Sequence, residues 1–140
     1  MRFKLLLIMC TMIFIAGNAA ADGIPVKPGK WEMTSTMTMT MMPQPQTNTV
    51  TECIKTDHID PESFNMDEEN PCSIEDVSID GDTLAWSIVC PTPAGQMDGQ
   101  WEMTSNGDSL SGRGTMSAEI SGQKMGFDMT WDGKRIGDCD

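Results

Sequence analysis

Apolar and polar residues alternate with a period of two along most of this chain, and helical periodicity is nearly absent. Leu110, Gly112, Gly114, Met116, Ala118 and Ile120 alternate with Ser111, Arg113, Thr115, Ser117 and Glu119, the pattern of a long strand with one buried face. Met125, Phe127, Met129 and Trp131 repeat it after Ser121-Gly122, and Leu84, Trp86, Ile88 and Cys90 repeat it after Asp80-Gly81. Nearer the N-terminus Trp31, Met33, Met37, Met39 and Met41 share one parity. Thr34, Thr36, Thr38 and Thr40 occupy the other, where β-branched threonine suits a solvated strand face. The alternation predicts strands over 30–42, 48–54, 73–79, 83–90, 98–105, 109–120 and 123–132. Turns are expected at Pro43 to Gln46, Asp80-Gly81, Pro91 to Gly95, Asn106-Gly107 and Ser121-Gly122, so neighbours join as hairpins. Seven antiparallel strands with one apolar face are expected to curl into a small barrel-like meander, an all-β fold. The one long connection, Lys55 to Pro71, is polar and acidic, with Asp60-Pro61-Glu62 placed to start a short helical turn.

The first 21 residues break this pattern. Arg2 and Lys4 precede the apolar run Leu5 to Ile15, and Ala19-Ala20-Ala21 offers a small-residue cleavage site, so 1–21 reads as an export signal cut before Asp22. A lipoprotein reading at Cys10 is disfavoured, because Met9 stands where a small residue is expected. Residues 22–140 are then a single β domain, with no membrane insertion after cleavage. Loss of Arg2 and Lys4, with no acid removed, moves the net charge from −12 to −14. Such a chain repels phosphate backbones, which excludes nucleic acid as a partner.

Four cysteines remain, Cys53, Cys72, Cys90 and Cys139, and two disulfides are expected in an oxidising compartment. Three pairings are open. Gly81 is the midpoint of 72 and 90, so a hairpin folded at Asp80-Gly81-Asp82 sets Cys72 opposite Cys90 or within about one residue of it. Cys53 is left for Cys139. A zinc site is disfavoured, since no C-x-x-C pair is present.

Trp-Glu-Met-Thr-Ser occurs at 31–35 and again at 101–105, which two equivalent strand starts would explain. Catalytic motifs do not withstand inspection. Gly107-Asp108-Ser109-Leu110 spells an esterase block, but its serine follows an Asn-Gly turn in an all-β pattern, and the single histidine, His58, has Lys55 three residues before it where an aspartate would be needed. His58 within Asp57-His58-Ile59-Asp60 reads as a solvated loop residue. Asp67-Glu68-Glu69 lacks the alternating spacing of a calcium loop. No catalytic residue and no cofactor are expected, and the protein is expected not to be an enzyme.

Methionine, 14 of 140 residues, admits two readings. Met37, Met39 and Met41, spaced roughly 6.6 Å apart along a strand face, could close thioethers around Cu(I) or Ag(I). Against this, most methionines share parity with tryptophan, phenylalanine, leucine or isoleucine, which suits a core or a shape-tolerant cavity. The favoured reading places Trp31, Met33, Met37, Met39 and Trp86 together with Trp101, Met103, Met116, Phe127, Met129 and Trp131 around an interior that takes a small apolar ligand. An envelope protein acting through contacts with an unspecified protein partner is a further alternative.

Several segments together resemble a known family. Pro28-Gly29-Lys30-Trp31-Glu32 opening into Met/Thr alternation, Thr51-Glu52-Cys53, the Cys72-to-Cys90 hairpin with Trp86, and the ending Gly133-Lys134-Arg135-Ile136-Gly137-Asp138-Cys139 are similar to the exported bacterial proteins grouped as domain of unknown function 3617. The resemblance implies a periplasmic location and supports the two disulfides. It brings no activity, cofactor or catalytic residue.

Overall fold

The computed structural model describes residues 23–61 and 71–140. The signal segment 1–21, Glu62 of the expected turn at Asp60-Pro61-Glu62, and the Asp67-Glu68-Glu69 cluster lie outside the described residues. Every element among those described is a strand: β1 (Ile24–Pro25), β2 (Gly29–Met39), β3 (Met42–Ile54), β4 (His58–Ile59), β5 (Ser73–Asp80), β6 (Thr83–Thr92), β7 (Gly95–Ser105), β8 (Ser109–Ile120) and β9 (Gln123–Gly137). Seven form one antiparallel sheet in the order β3-β2-β9-β8-β7-β6-β5, and β1 and β4 form a second, two-stranded sheet.

The expected seven strands are all present, but the sheet does not close into a barrel. The chain enters the sheet on β2, one strand in from an edge, turns out to the β3 edge, crosses to the β5 edge and meanders back until β9 pairs with β2. Closure would need β3 to meet β5, and the side chains explain why it does not. The β3 residues on the same face as Trp31 and Met33 are Gln46, Asn48, Val50 and Glu52, three of them polar, and all of β3 except Ile54 is exposed. Such a strand has little apolar surface to bury against a partner.

The apolar face is covered from one end instead, by a cap that the alternation did not predict. Ile24 and Val26 are buried in the same cluster as Trp31, Leu84, Trp86, Met103, Leu110 and Trp131, with Ile59 packed against it. Ile24 pairs with Ile59, Val26 bridges Gly107 in parallel, and Val26 N–H donates to the Asp57 carbonyl at 2.9 Å. Ser105, fully buried, donates its hydroxyl to the Pro25 carbonyl and accepts from Gly107 N–H, so its polarity is satisfied inside the core. Arg135 Nε donates to the Pro28 carbonyl at 2.9 Å and Trp31 Nε1 to the Lys27 carbonyl at 3.0 Å, fastening the cap to β9 and β2.

Turn positions differ from expectation at two hairpins. β2 turns at Thr40-Met41, and Pro43 and Pro45 lie within β3. Proline lacks an N–H, and an edge strand has one side on which none is needed. The β6–β7 turn is Pro93-Ala94. Ser121-Gly122 joins β8 to β9 as expected, both residues having positive φ, as a type I′ hairpin turn requires. The β9 strand continues five residues past the expected end, to Gly137.

Both disulfides pair as expected, Cys53 with Cys139 and Cys72 with Cys90. The second depends on a bulge. Near the turn the pairing is Asp80 with Thr83 and Ile79 with Leu84, a register that continued unchanged would set Cys72 against Pro91. Asp76 and Val77 together oppose Trp86, the register slips by one residue, and Ser73 meets Val89, which brings Cys72 opposite Cys90 with Cα atoms 4.1 Å apart. Asp76 adopts φ +51°, a left-handed conformation that aspartate tolerates better than a β-branched residue. Asp76→Val should therefore lower stability by about 1–2 kcal/mol and slow formation of the Cys72–Cys90 bond, while Asp76→Gly leaves both intact or improved. Urea denaturation and thiol titration during refolding measure the two effects.

Candidate functional site

All four tryptophans lie on one face of the sheet, and glycines opposite two of them, Trp101 and Trp131, make that arrangement fit. Gly112 on β8 is directly across from Trp131 on β9, and Gly114 is directly across from Trp101 on β7. A Cβ at Gly112 would fall 2.2 Å from Trp131 Cζ2, and one at Gly114 would fall 2.2 Å from Trp101 Cε3, so both indoles rest on bare backbone of β8. Trp86 and Trp101, opposite each other on β6 and β7, stack with ring centres 6.3 Å apart, and Trp101 and Trp131 sit 5.6 Å apart at 36°. Such offset pairs add about 0.5–1.5 kcal/mol each beyond the area they bury. Met33 and Met116 use glycine in the same way, their sulfurs lying over Gly133 and Gly99.

The eleven expected interior residues separate into two groups. Trp31, Trp86, Met103 and Trp131 are buried in the capped core with Leu84 and Leu110, and Met33 packs against it, so these side chains fill space among their neighbours. Met37, Met39, Phe127 and Met129 sit further along the same face and are half-buried, Met129 still packing against the core cluster. Met37 is directly across from Met129 and Met39 from Phe127, which in turn faces the buried Met116. Trp101 joins the two groups. Its Nε1 is buried with no acceptor in reach among the described residues, and a Cβ built on Gly99 would lie 3.0 Å from that nitrogen and 2.0 Å from Met116 Sδ. The flexible Met116 thioether therefore lies beside the unpaired indole N–H.

Met41 does not belong to this face. It lies in the β2–β3 turn and is 72% exposed, so the expected run Met37, Met39, Met41 ends at Met39. The physical reason is the β2–β3 register, which pairs Gly29 with Ile54 through Met37 with Gln46 and then Met39 with Met42, so the hairpin closes at Thr40-Met41 and not at the prolines. The two Trp-Glu-Met-Thr-Ser copies are not equivalent strand starts: the first lies near the beginning of β2 and the second ends β7. Both nevertheless place Trp and Met on the inner face.

The residues of the apparent esterase block are occupied structurally. Asp108 is 3.5 Å from Lys27 Nζ, its carbonyl accepts from Arg135 N–H, and Ser109 begins β8 opposite Lys134. His58 lies on the cap, with Nδ1 2.8 Å from Asp57 Oδ1 and Nε2 3.6 Å from Asp60 Oδ2. The hydrogen bond to His58 holds the Asp57 carboxyl below its ordinary value, and a hydrogen bond from Lys30 does the same for Asp140. No group of three or more His, Cys, Asp or Glu side chains among the described residues is arranged to hold a metal ion. A groove of about 490 Å³ runs over the outer face along Ser87, Gln100, Glu102, Arg113 and Thr115. Trp86, Trp101 and Ala85 line it beside these polar residues, and the Glu102–Arg113 pair, 3.3 Å apart, lies in its wall, so its lining is mixed.

The glycine floor gives a direct test. Gly114→Ala should cost about 1–3 kcal/mol, because the added methyl meets the Trp101 ring and not a flexible chain end. Gly137→Ala, whose Cβ meets nothing within 4 Å, should change stability by less than about 0.5 kcal/mol. Urea denaturation of the two variants under oxidising conditions compares them.

No curated protein and no solved structure matches this chain. A family model does match, described as protein of unknown function (DUF3617), and it spans residues 26–139. The match runs from the buried Val26 of the cap to the Cys139 clasp and takes in both disulfides, all seven strands of the sheet and the tryptophan tier. The chain therefore belongs to the DUF3617 family.

Proposed function

We propose that this protein is a non-catalytic, exported, periplasmic binding module that takes a small neutral apolar molecule on the Met37–Met39–Phe127–Met129 face. The observation that carries the reading is the continuation of the inner apolar face beyond its capped core, where half-buried flexible methionines border the Trp101 indole N–H, which has no acceptor among the described residues. A buried donor without a partner is uncommon, and a bound molecule bearing a carbonyl or ether oxygen would satisfy it once the Met116 side chain swings aside. Net charge also selects. At −12 the chain repels anionic head groups, which favours a neutral ligand over a fatty-acid carboxylate. Export and the periplasmic location rest on the signal-like 1–21 segment and on the disulfides, which persist in oxidising compartments.

A second reading keeps the thioethers but changes the cargo. Met37 and Met129 are cross-strand partners with Met39 two residues along, so a soft cation such as Cu(I) or Ag(I) would be held by Met37, Met39 and Met129, with Met41 outside the set.

Tryptophan fluorescence during titration with methyl palmitate, and native mass spectrometry of protein taken from periplasm, test the first reading. The expected result is saturable quenching or a spectral shift, a copurified neutral mass, and at least about tenfold weaker binding in Met129→Lys, which places a charge on the apolar face. A bare disulfide-bonded mass with no response to the ester overturns it. Titration with Ag(I) tests the second: a defined stoichiometry lost in the triple Leu variant of Met37, Met39 and Met129 is expected, and unchanged binding in that variant removes the idea.

A further inference from the structure

The sheet ends on two unlike edges. β5 is eight residues long, is interrupted by the bulge at Asp76-Val77 and carries Glu75, Asp76 and Asp80. A short, bulged and charged strand deters an incoming one. β3 is thirteen residues long and holds Glu52 as its one charge, within a chain of net charge −12. Its pairing with β2 is unbroken from Gln46 to Ile54, and among the described residues no strand pairs with its other side. Pro43 and Pro45 remove two backbone donors near the turn, and the Cys53–Cys139 bridge closes the far end. The unguarded stretch is thus 46–52.

We propose that residues 46–52 of β3 form a dimerisation edge, which pairs antiparallel with the same stretch of a second copy of this chain. The occupant follows from the asymmetry of the edges. Pairing of β3 with the β5 edge of another copy would bring it against three carboxylates and a bulge, and would repeat head to tail without closing. Pairing of β3 with β3 uses the one unguarded edge of each chain and leaves none. The side chains suit self-pairing. Antiparallel registers centred on Asn48 or Thr49 keep like faces together, setting Thr47 against Thr49 or Thr51 and Glu52 against Gln44 or Gln46, never against the other Glu52. Threonine pairs of this kind already link the two strands of the hairpin, Thr34 to Thr49 and Thr36 to Thr47, each with oxygens 3.0 Å apart.

Sedimentation equilibrium of the mature, disulfide-bonded protein tests the proposal. A monomer–dimer equilibrium is expected, with the dimer lost in Thr49→Lys and in Val50→Lys. Both positions are exposed, so near-ultraviolet circular dichroism and the unfolding midpoint should stay those of the parent chain. Mixing Thr49→Lys with Thr49→Glu should restore a dimer that neither variant forms alone, because the opposite charges then lie near the dyad. A chain that stays monomeric across the concentration range, or a dimer that both lysine variants leave intact, overturns the proposal.

Discussion

Bare backbone beneath the tryptophan rings is the feature on which the rest of this structure depends. Trp101 and Trp131 lie over β8, where a side chain directly opposite would overlap their rings, and β8 supplies Gly112 under Trp131 and Gly114 under Trp101. The rings then lie along the sheet and touch one another from β6 to β9, so one face of an open sheet becomes a continuous apolar layer. Glycine would ordinarily weaken a strand interior. Here the loss of strand propensity is offset by the large aromatic surface that each missing side chain admits.

An open apolar layer still has to be covered, and β1 with β4 does so at one end. Segments on either side of the β2–β3 hairpin are drawn together across the sheet, and the buried Ser105 hydroxyl and the Arg135 guanidinium fix them by backbone hydrogen bonds. The disulfides reinforce the same plan from outside the core. Cys53–Cys139 ties the chain end that follows β9 to the β3 edge, and Cys72–Cys90 ties the start of β5 to β6. Away from the cap the layer remains half-open, lined by methionine and phenylalanine. The binding proposal rests on that contrast between a filled end and an open one.

The edges carry a separate message. Protection on β5 comes from a bulge and acids, while β3 has neither along most of its length. That difference is independent of what occupies the inner face, so ligand binding and self-association stand or fall separately.

Much of this was legible in the residues. Period-two alternation identified the strands because a half-buried strand leaves no other pattern, and Gly81 at the midpoint of Cys72 and Cys90 predicted their pairing because a hairpin fixes which residues face each other. Inner-face membership of Trp31, Trp86, Trp101 and Trp131 followed from parity alone. Barrel closure did not follow, because parity reports which face a residue occupies and not whether two distant edges meet; the polar inner positions of β3 decided that. The cap escaped notice because two-residue strands are too short to show a period, and Ile24 and Val26 resemble any linker until their partners are in place. Prolines 43 and 45 read as a turn, since local rules do not reveal that β3 would be an edge. The split of the eleven interior residues into a filled core and an open face was likewise beyond the sequence, because burial depends on what lies across the sheet. Strand identity, face and, to within one residue, the Cys72–Cys90 pairing were thus determined locally, by covalent spacing and side-chain alternation, whereas closure, capping, the meeting of Cys53 with Cys139 and the open methionine face were decided only when segments far apart in the chain came together on the sheet.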